Sequence, residues 1–277
     1  MSNRKRHNSK VESSLIDVVI STGGRFDMLR RCLKALEAQK DAPAFSVYII
    51  DNNTDNKERL HNKDIFELPI VSDTKRLTQE VGFPKANNEG ARMGTSPLIL
   101  FLNDDVELMP DAIKVLSNTM DDERIGLVGA KLVFPSESTN KLRPAGKVQH
   151  VGLGMNINGD IVHPLVGWSD DNSKCNVSRE VIGVTGACLM VRRYLFMQVS
   201  GFWEGYGAGT FEDCDLCMSV QSLGKKVFIN VDAKGTHYVG ATVEKKQRAF
   251  PLQQNALFFK ARWSQSNLFR WTDYQFM

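Results

Sequence analysis

Asn103, Asp104 and Asp105 directly follow the fully apolar run Leu98–Leu102. Adjacent carboxylates repel each other unless a cation or a cluster of donors lies close. Hard oxygen ligands of this kind suit Mg²⁺ or Mn²⁺, which in turn hold phosphates. The same triplet also reads as a solvated turn that caps the next helix. A second acidic cluster, Glu212-Asp213-Cys214-Asp215, follows a glycine-rich stretch with Gly205, Gly207 and Gly209. Acids in a first helical turn are favoured by the macrodipole, and one of them turned into a pocket could serve as a general base. Cys214 and Cys217 form a CxxC without a second ligand pair, which reads as helix packing. A lone His237 is by itself more often structural than a ligand, and His150 and His163 fall in an irregular segment with no assigned role.

These groups need elements to carry them. The run at 16–21 is a buried strand that stops at Thr22-Gly23-Gly24-Arg25. Leu29, Cys32, Leu33 and Leu36 then mark one face of an amphipathic helix. Further strands are expected at 45–50, ending on Asp51-Asn52-Asn53-Thr54, at 68–71, and at 98–102. Helices are expected at 84–93 and 110–120, each with a proline near its first turn. Strand–helix alternation with apolar strands implies a mainly parallel sheet covered on both faces, whose ligand site lies beyond the strands' carboxyl ends. Three polar strand ends, at 22–25, 51–54 and 103–105, should therefore meet at one pocket. The second half is less regular. Strands are expected at 127–134, 186–191 and 226–231, loops and short hairpins at 135–180, and helices at 211–223 and 250–271.

The chain has 277 residues, 42% hydrophobic and 24% charged, which suits a folded α/β protein and excludes a disordered chain or a fibrous rod. The net charge of +3 is outweighed by Arg4, Lys5, Arg6 and Lys10 alone, so the body is near neutral. The organisation expected is a basic tail at 1–14, one domain at 15–265 (halves 15–134 and 135–265) and a C-terminal tail at 266–277. The tail is followed by no apolar segment of a secretory signal, and no apolar run reaches membrane-spanning length. Five cysteines in no framework pattern fit a reducing, cytoplasmic setting. No GxGxxG, GxxxxGK[ST] or GxSxG occurs, which argues against dinucleotide oxidoreductases, P-loop NTPases and α/β-hydrolases.

Six segments occur in order: Thr22…Arg25, Asp51-Asn52, Gly82-Phe83…Asn88-Glu89-Gly90, Leu102-Asn103-Asp104-Asp105-Val106, Gly186 through Arg192, and Gly201-Phe202…Glu212-Asp213-Cys214-Asp215-Leu216-Cys217, with His237 following. Together they resemble the family 2 glycosyltransferases of the GT-A fold, notably the rhamnosyltransferase-like branch. The resemblance implies an α/β, Rossmann-like sheet flanked by helices, with a smaller mixed acceptor-side half. It implies transfer of a sugar from a nucleotide-diphosphate sugar to an acceptor hydroxyl, with inversion and a divalent metal, Mn²⁺ or Mg²⁺. Asp51 would bind the nucleobase and Thr22 and Arg25 would line the nucleotide site, with Asn53, Lys85, Asn88, Asn103 and Asp104 also on the donor side. Asp105 would hold the metal, His237 would complete its shell, and Asp213 would be the general base. Trp203 and Glu212 would face the acceptor. The sequence departs from the family pattern in Asn103 at the first DxD position, in Glu80 where Asn is usual, and in Trp203 where Asp is usual.

Two rival readings stand beside this one: a sugar-1-phosphate nucleotidyltransferase, and a non-catalytic nucleotide-sugar or glycan-binding module. The acceptor would be a glycan, a lipid-linked or another hydroxyl compound. The basic tail leaves room for a nucleic-acid acceptor or for peripheral contact with a membrane surface.

Overall fold

A computed structural model of the chain describes residues 14–52, 55–156, 160–239, 252–264 and 266. In the first half, β1 (Ile16–Thr22), α1 (Phe26–Glu37), β2 (Phe45–Asp51), α2 (Asn56–His61), β3 (Val71–Arg76), α3 (Phe83–Ala91) and β4 (Leu98–Leu102) alternate as expected. β5 (Val106–Leu108), α4 (Ala112–Thr119) and β6 (Ile125–Val133) follow. The irregular segment holds the short strands β7 (Val148–His150), β8 (Gly154–Met155), β9 (Ile161–Val162) and β10 (Arg179–Glu180). The chain then runs through β11 (Cys188–Arg192), α5 (Arg193–Gln198), α6 (Glu212–Ser222), β12 (Lys226–His237) and α7 (Leu252–Trp263).

The strand order of the main sheet is β10-β12-β6-β11-β4-β1-β2-β3, with β5 on β12 and β7 on β6. β3, β2, β1, β4, β6 and β12 run in one direction and β11 runs against them. The period-two alternation of buried strands sorts their side chains onto two faces. Val18, Ile20, Leu100 and Leu102 meet Leu29, Leu33 and Leu36 of α1 and Ile113 and Leu116 of α4. Val19, Ile99 and Phe101 meet Ala91 of α3, Phe196 of α5 and Leu216 and Val220 of α6. Helices thus cover both faces of one sheet.

Most elements end within a few residues of expectation. Of the expected helix at 250–271 the described part is Leu252–Trp263; residues 250, 251, 265 and 267–271 lie outside the described residues, and so do the expected tails except for residues 14 and 266. Two strand boundaries differ for a physical reason. The third strand is Val71–Arg76 and not 68–71, because it lies at the sheet edge, where most of its residues stay in water and need not be apolar. β12 runs on to His237, past the expected end at 231, after a register shift between Asn230 and Lys234 lets it pair with β5. The long irregular segment is pinned from below. Lys131 on β6 is fully buried, and its Nζ donates to Asp170 O and Asn176 Oδ1, both at 2.9 Å.

Candidate active site

The carboxyl end of β4 delivers Asn103, Asp104 and Asp105, and backbone bonds fix the turn. Asn103 N–H donates to Ala187 O (2.9 Å), and Tyr238 N–H donates to Asp105 O (3.0 Å). The acidic triplet is thereby clamped between β11 and the end of β12. Thr22, ending β1, donates its hydroxyl to Asp104 Oδ2 at 2.7 Å. Arg25 Nη1 lies 2.7 Å from Asp105 Oδ2, and His237 Nε2 lies 3.2 Å from Asp105 Oδ1. His237 Nδ1 in turn meets Gln149 Oε1 at 3.1 Å.

Asp104 and Asp105 are both buried, yet they titrate in opposite directions. Burial, then the charge of Asp105, pushes Asp104 up to about 7 against the Thr22 hydroxyl and Arg25. Burial works upward on Asp105 too, but His237 and then Arg25 outweigh it and hold the carboxyl below the usual carboxylate range.

The opposite wall is built at the start of α6. Thr210 and Phe211 both have positive φ, +77° and +70°, just before the helix begins. Such backbone costs about 1–3 kcal/mol per non-glycine residue and persists only where its surroundings impose it. The turn brings Glu212 and Asp213 to the cleft. Gly186 N–H donates to Asp213 Oδ2 (3.0 Å) and Cys214 N–H to Asp213 Oδ1 (2.8 Å), which fixes that carboxyl's orientation. Glu212 is buried, and its Oε2 has no hydrogen-bond partner among the described residues. Burial, then the Asp213 charge, raises it to about 8. At the floor, Gly82 lets the start of α3 meet the glycine-rich loop: a Cβ there would lie 1.6 Å from Gly207 O.

Thr22, Asn103, Asp104, Asp105, Glu212, Asp213 and His237 line one cleft of about 320 Å³. The three expected strand ends therefore do converge, but not every expected residue faces the opening. Arg25 lies behind the wall with its guanidinium on Asp105. The buried Asp51 turns its carboxylate toward Arg59 (Nε at 2.5 Å) and Arg76, and its neighbour Asn52 lines the cleft instead. Asn52 is itself tied to Val81, accepting its N–H at 2.9 Å and donating to its O at 2.8 Å.

Lys85 is exposed on α3, away from the cleft lining. Asn88 is a buried staple: Phe202 N–H donates to its Oδ1 (2.9 Å), and its Nδ2 donates to Phe202 O (2.8 Å) and to Glu204 (3.1 Å). Trp203 packs edge-on against Tyr206 and beside Phe258, with Arg262 over its ring, and lines a second cleft with Arg262 and Asp215. Asn53 lies outside the described residues.

Sequence reasoning gave no role to His150 and His163, and the structure supplies one for their contacts. Thr185 N–H donates to His150 Nε2 (3.2 Å), so the His150 proton must sit on Nδ1, which faces His163 Nδ1 at 3.2 Å. His163 then carries its proton on Nε2. Burial, then His163 and His237, lowers the pKa of His150 far below its ordinary value, which keeps this arrangement neutral. The pair holds Thr185, the neighbour of the Gly186 that orients Asp213. No local motif signals this, because its members meet only through tertiary packing.

The family model described as Glycosyl transferase family 2 matches residues 17–199. O-antigen biosynthesis protein RfbC of Myxococcus xanthus is 27% identical over 237 residues, covering 82% of this chain and 17% of the relative. Protein y4gI of Sinorhizobium fredii is 24% identical over 264 residues, covering 90% of this chain and 27% of the relative. The chain thus spans well under a third of these curated relatives.

Among solved structures, GalNAc-T7 with UDP, GalNAc and Mn²⁺ superposes with a TM-score of 0.70 at 15% identity, covering 92% of this chain and 49% of that one. Mannosyltransferase PcManGT from Pyrobaculum calidifontis, with GDP-Man and Mn²⁺, has a TM-score of 0.58 at 14% identity, covering 87% and 59%. These likenesses give the GT-A fold, in agreement with the sheet order above. With a family match spanning most of the chain, the protein belongs to glycosyl transferase family 2.

Proposed function

We propose that this chain transfers a sugar from a nucleotide-diphosphate sugar to an acceptor hydroxyl, inverting the anomeric carbon, with Asp213 as general base and a divalent cation at Asp105 and His237. The observation that carries the reading is the single cleft with the Asp105–His237 pair on one wall and Asp213 on the other. Family membership and the UDP- and GDP-sugar complexes of similar folds support the donor class. They also favour transfer over the nucleotidyltransferase reading.

Among the described residues no three His, Cys, Asp or Glu side chains gather around one point. Mg²⁺ and Mn²⁺ nevertheless fit, since such ions use one or two protein ligands and complete their shell with water and substrate phosphates. A carboxylate and an imidazole in contact, at the edge of a phosphate-sized cleft, are a suitable donor set. When bound, the cation neutralises charge growing on the departing nucleoside diphosphate.

The remaining work falls to the chain. Arg25 holds Asp105 in place, and Gln149 orients the His237 ring. Gly186 and Cys214 amides aim Asp213, which takes the acceptor hydroxyl's proton as the new glycosidic bond forms and the bond to the diphosphate breaks. Glu212 and the glycine-rich loop bound the acceptor side. The acceptor is a glycan, lipid-linked or other hydroxyl compound. No helix among the described residues is long and apolar enough to cross a membrane, and all five cysteines are free thiols, which suits a reducing cytoplasmic setting.

Titration calorimetry with UDP, GDP and dTDP, with and without Mn²⁺, tests the donor half of this reading. At least one diphosphate should bind wild-type protein in a Mn²⁺-dependent way, and Asp105→Asn should remove that dependence. Equal binding with and without the ion, in both proteins, would contradict it.

A further inference from the structure

Asn255 on α7 lies beyond the family match at 17–199, yet it reaches the turn that carries Glu212 and Asp213. Its side chain is 3% exposed, and its Nδ2 donates to Tyr206 O (3.0 Å), Gly209 O (2.9 Å) and Thr210 O (3.3 Å), with Thr210 Oγ1 at 3.1 Å. The carbonyls are obligate acceptors, so this position calls for a donor, which the Asn255 amide supplies.

The same face of α7 makes two further ties at helical spacing. Phe259 packs on Phe211 with ring centroids 5.4 Å apart, and Trp263 Nε1 donates to Asp215 Oδ1 at 2.8 Å. The segment so held contains Gly209 (φ +133°), Thr210 and Phe211, all at positive φ, and Phe211, the residue that caps α6, makes no side-chain cap hydrogen bond. A strained, uncapped entry keeps its shape only when something outside imposes it.

We infer that α7 is a splint for the active-site turn, and that Asn255 is a positioning residue that holds the 206–211 backbone so that Asp213 faces the cleft. The consequence for transfer rests on Asp213 being the base; the consequence for the turn does not.

The test compares the wild-type, Asn255→Asp and Asp213→Asn forms of the whole 277-residue chain. Asn255→Asp keeps the shape but sets carboxylate oxygens against three carbonyls. Turnover is read on whichever nucleotide sugar of a UDP-, dTDP- and GDP-sugar panel the wild type consumes fastest. Nucleoside diphosphate affinity is read by calorimetry, and backbone mobility by amide hydrogen exchange.

Asn255→Asp should lower kcat about tenfold or more while leaving nucleotide affinity within about twofold, because the Asn255 amide bonds to the turn that carries Asp213. Exchange at 206–212 should accelerate while β1 and β2 stay protected. Unchanged exchange at 206–212, or unchanged kcat with a lowered melting temperature, would overturn the proposal and leave Asn255 an ordinary packing residue. Should Asn255→Asp not fold, Asn255→Ala removes the donor without adding a charge, and the same pair of readouts decides in the same direction. If Asp213→Asn keeps full turnover while Asn255→Asp frees the turn and slows transfer, the base assignment fails and the splint stands.

Discussion

Glu212 and Asp213 are neighbours in sequence with opposite surroundings. Asp213 accepts two backbone amides, whereas Glu212 is enclosed with an oxygen that nothing among the described residues satisfies. Raised to about 8 by burial and by Asp213, Glu212 binds a proton in the folded state at pH values where the unfolded chain has released it. Stability must therefore fall as pH rises from the ordinary Glu range, about 4.3, toward about 8, and level off above that. Glu212→Gln removes the effect. Its melting temperature relative to wild type should climb across that window, and a constant difference would contradict the assignment.

Asn88 illustrates what residue identity alone could not tell. Its place in a Gly-Phe…Asn-x-Gly segment is legible, but its amide is spent on Phe202 and Glu204, residues more than a hundred positions away. Asn88→Ala should cost about 1–3 kcal/mol of stability, measured by urea unfolding, through a buried N–H and C=O left unpaired. Nucleotide affinity should stay near wild type, and a large loss of affinity with intact stability would show that Asn88 acts at the donor site.

At the scale of elements, the legible parts were those whose burial writes itself into local pattern. β1, β2 and β4 are apolar on both faces because helices cover both, and α1 shows its Leu29-Cys32-Leu33-Leu36 stripe. β3 was displaced toward 68–71 because an edge strand of Val71, Ser72, Asp73, Thr74, Lys75 and Arg76 carries no apolar signal, while Leu68 and Ile70 pack against the core from a turn. β5 is three residues long and exists through pairing with β12, which no local window contains. The same holds for α7: its helical character and aromatic content were evident, but the convergence of three distant carbonyls on Asn255 was not. Trp203, expected near the acceptor, packs against Tyr206 and, from α7, Phe258.

At the scale of the molecule, the sheet collects polar strand ends from both halves at the carboxyl end of its parallel strands, as open α/β sheets do. Thr22, Asp104, Asp105, Asp213 and His237 are scattered along the chain, and β1, β4, α6 and β12 bring them to one cleft. The DxD-like triplet and the Glu-Asp block were legible as chemistry, and their convergence followed from topology. The His150–His163 support beneath Asp213 was not legible, since each partner is unremarkable in its own segment. In the reaction we propose, Asp213 removes the acceptor proton across this cleft from the diphosphate. The most direct test of that step is the initial rate of nucleoside diphosphate release, with Mn²⁺ and acceptor present, in wild-type and Asp213→Asn proteins. The rate should fall about 10²–10⁴-fold in the variant, with nucleoside diphosphate affinity unchanged; a variant that turns over at the wild-type rate would contradict it.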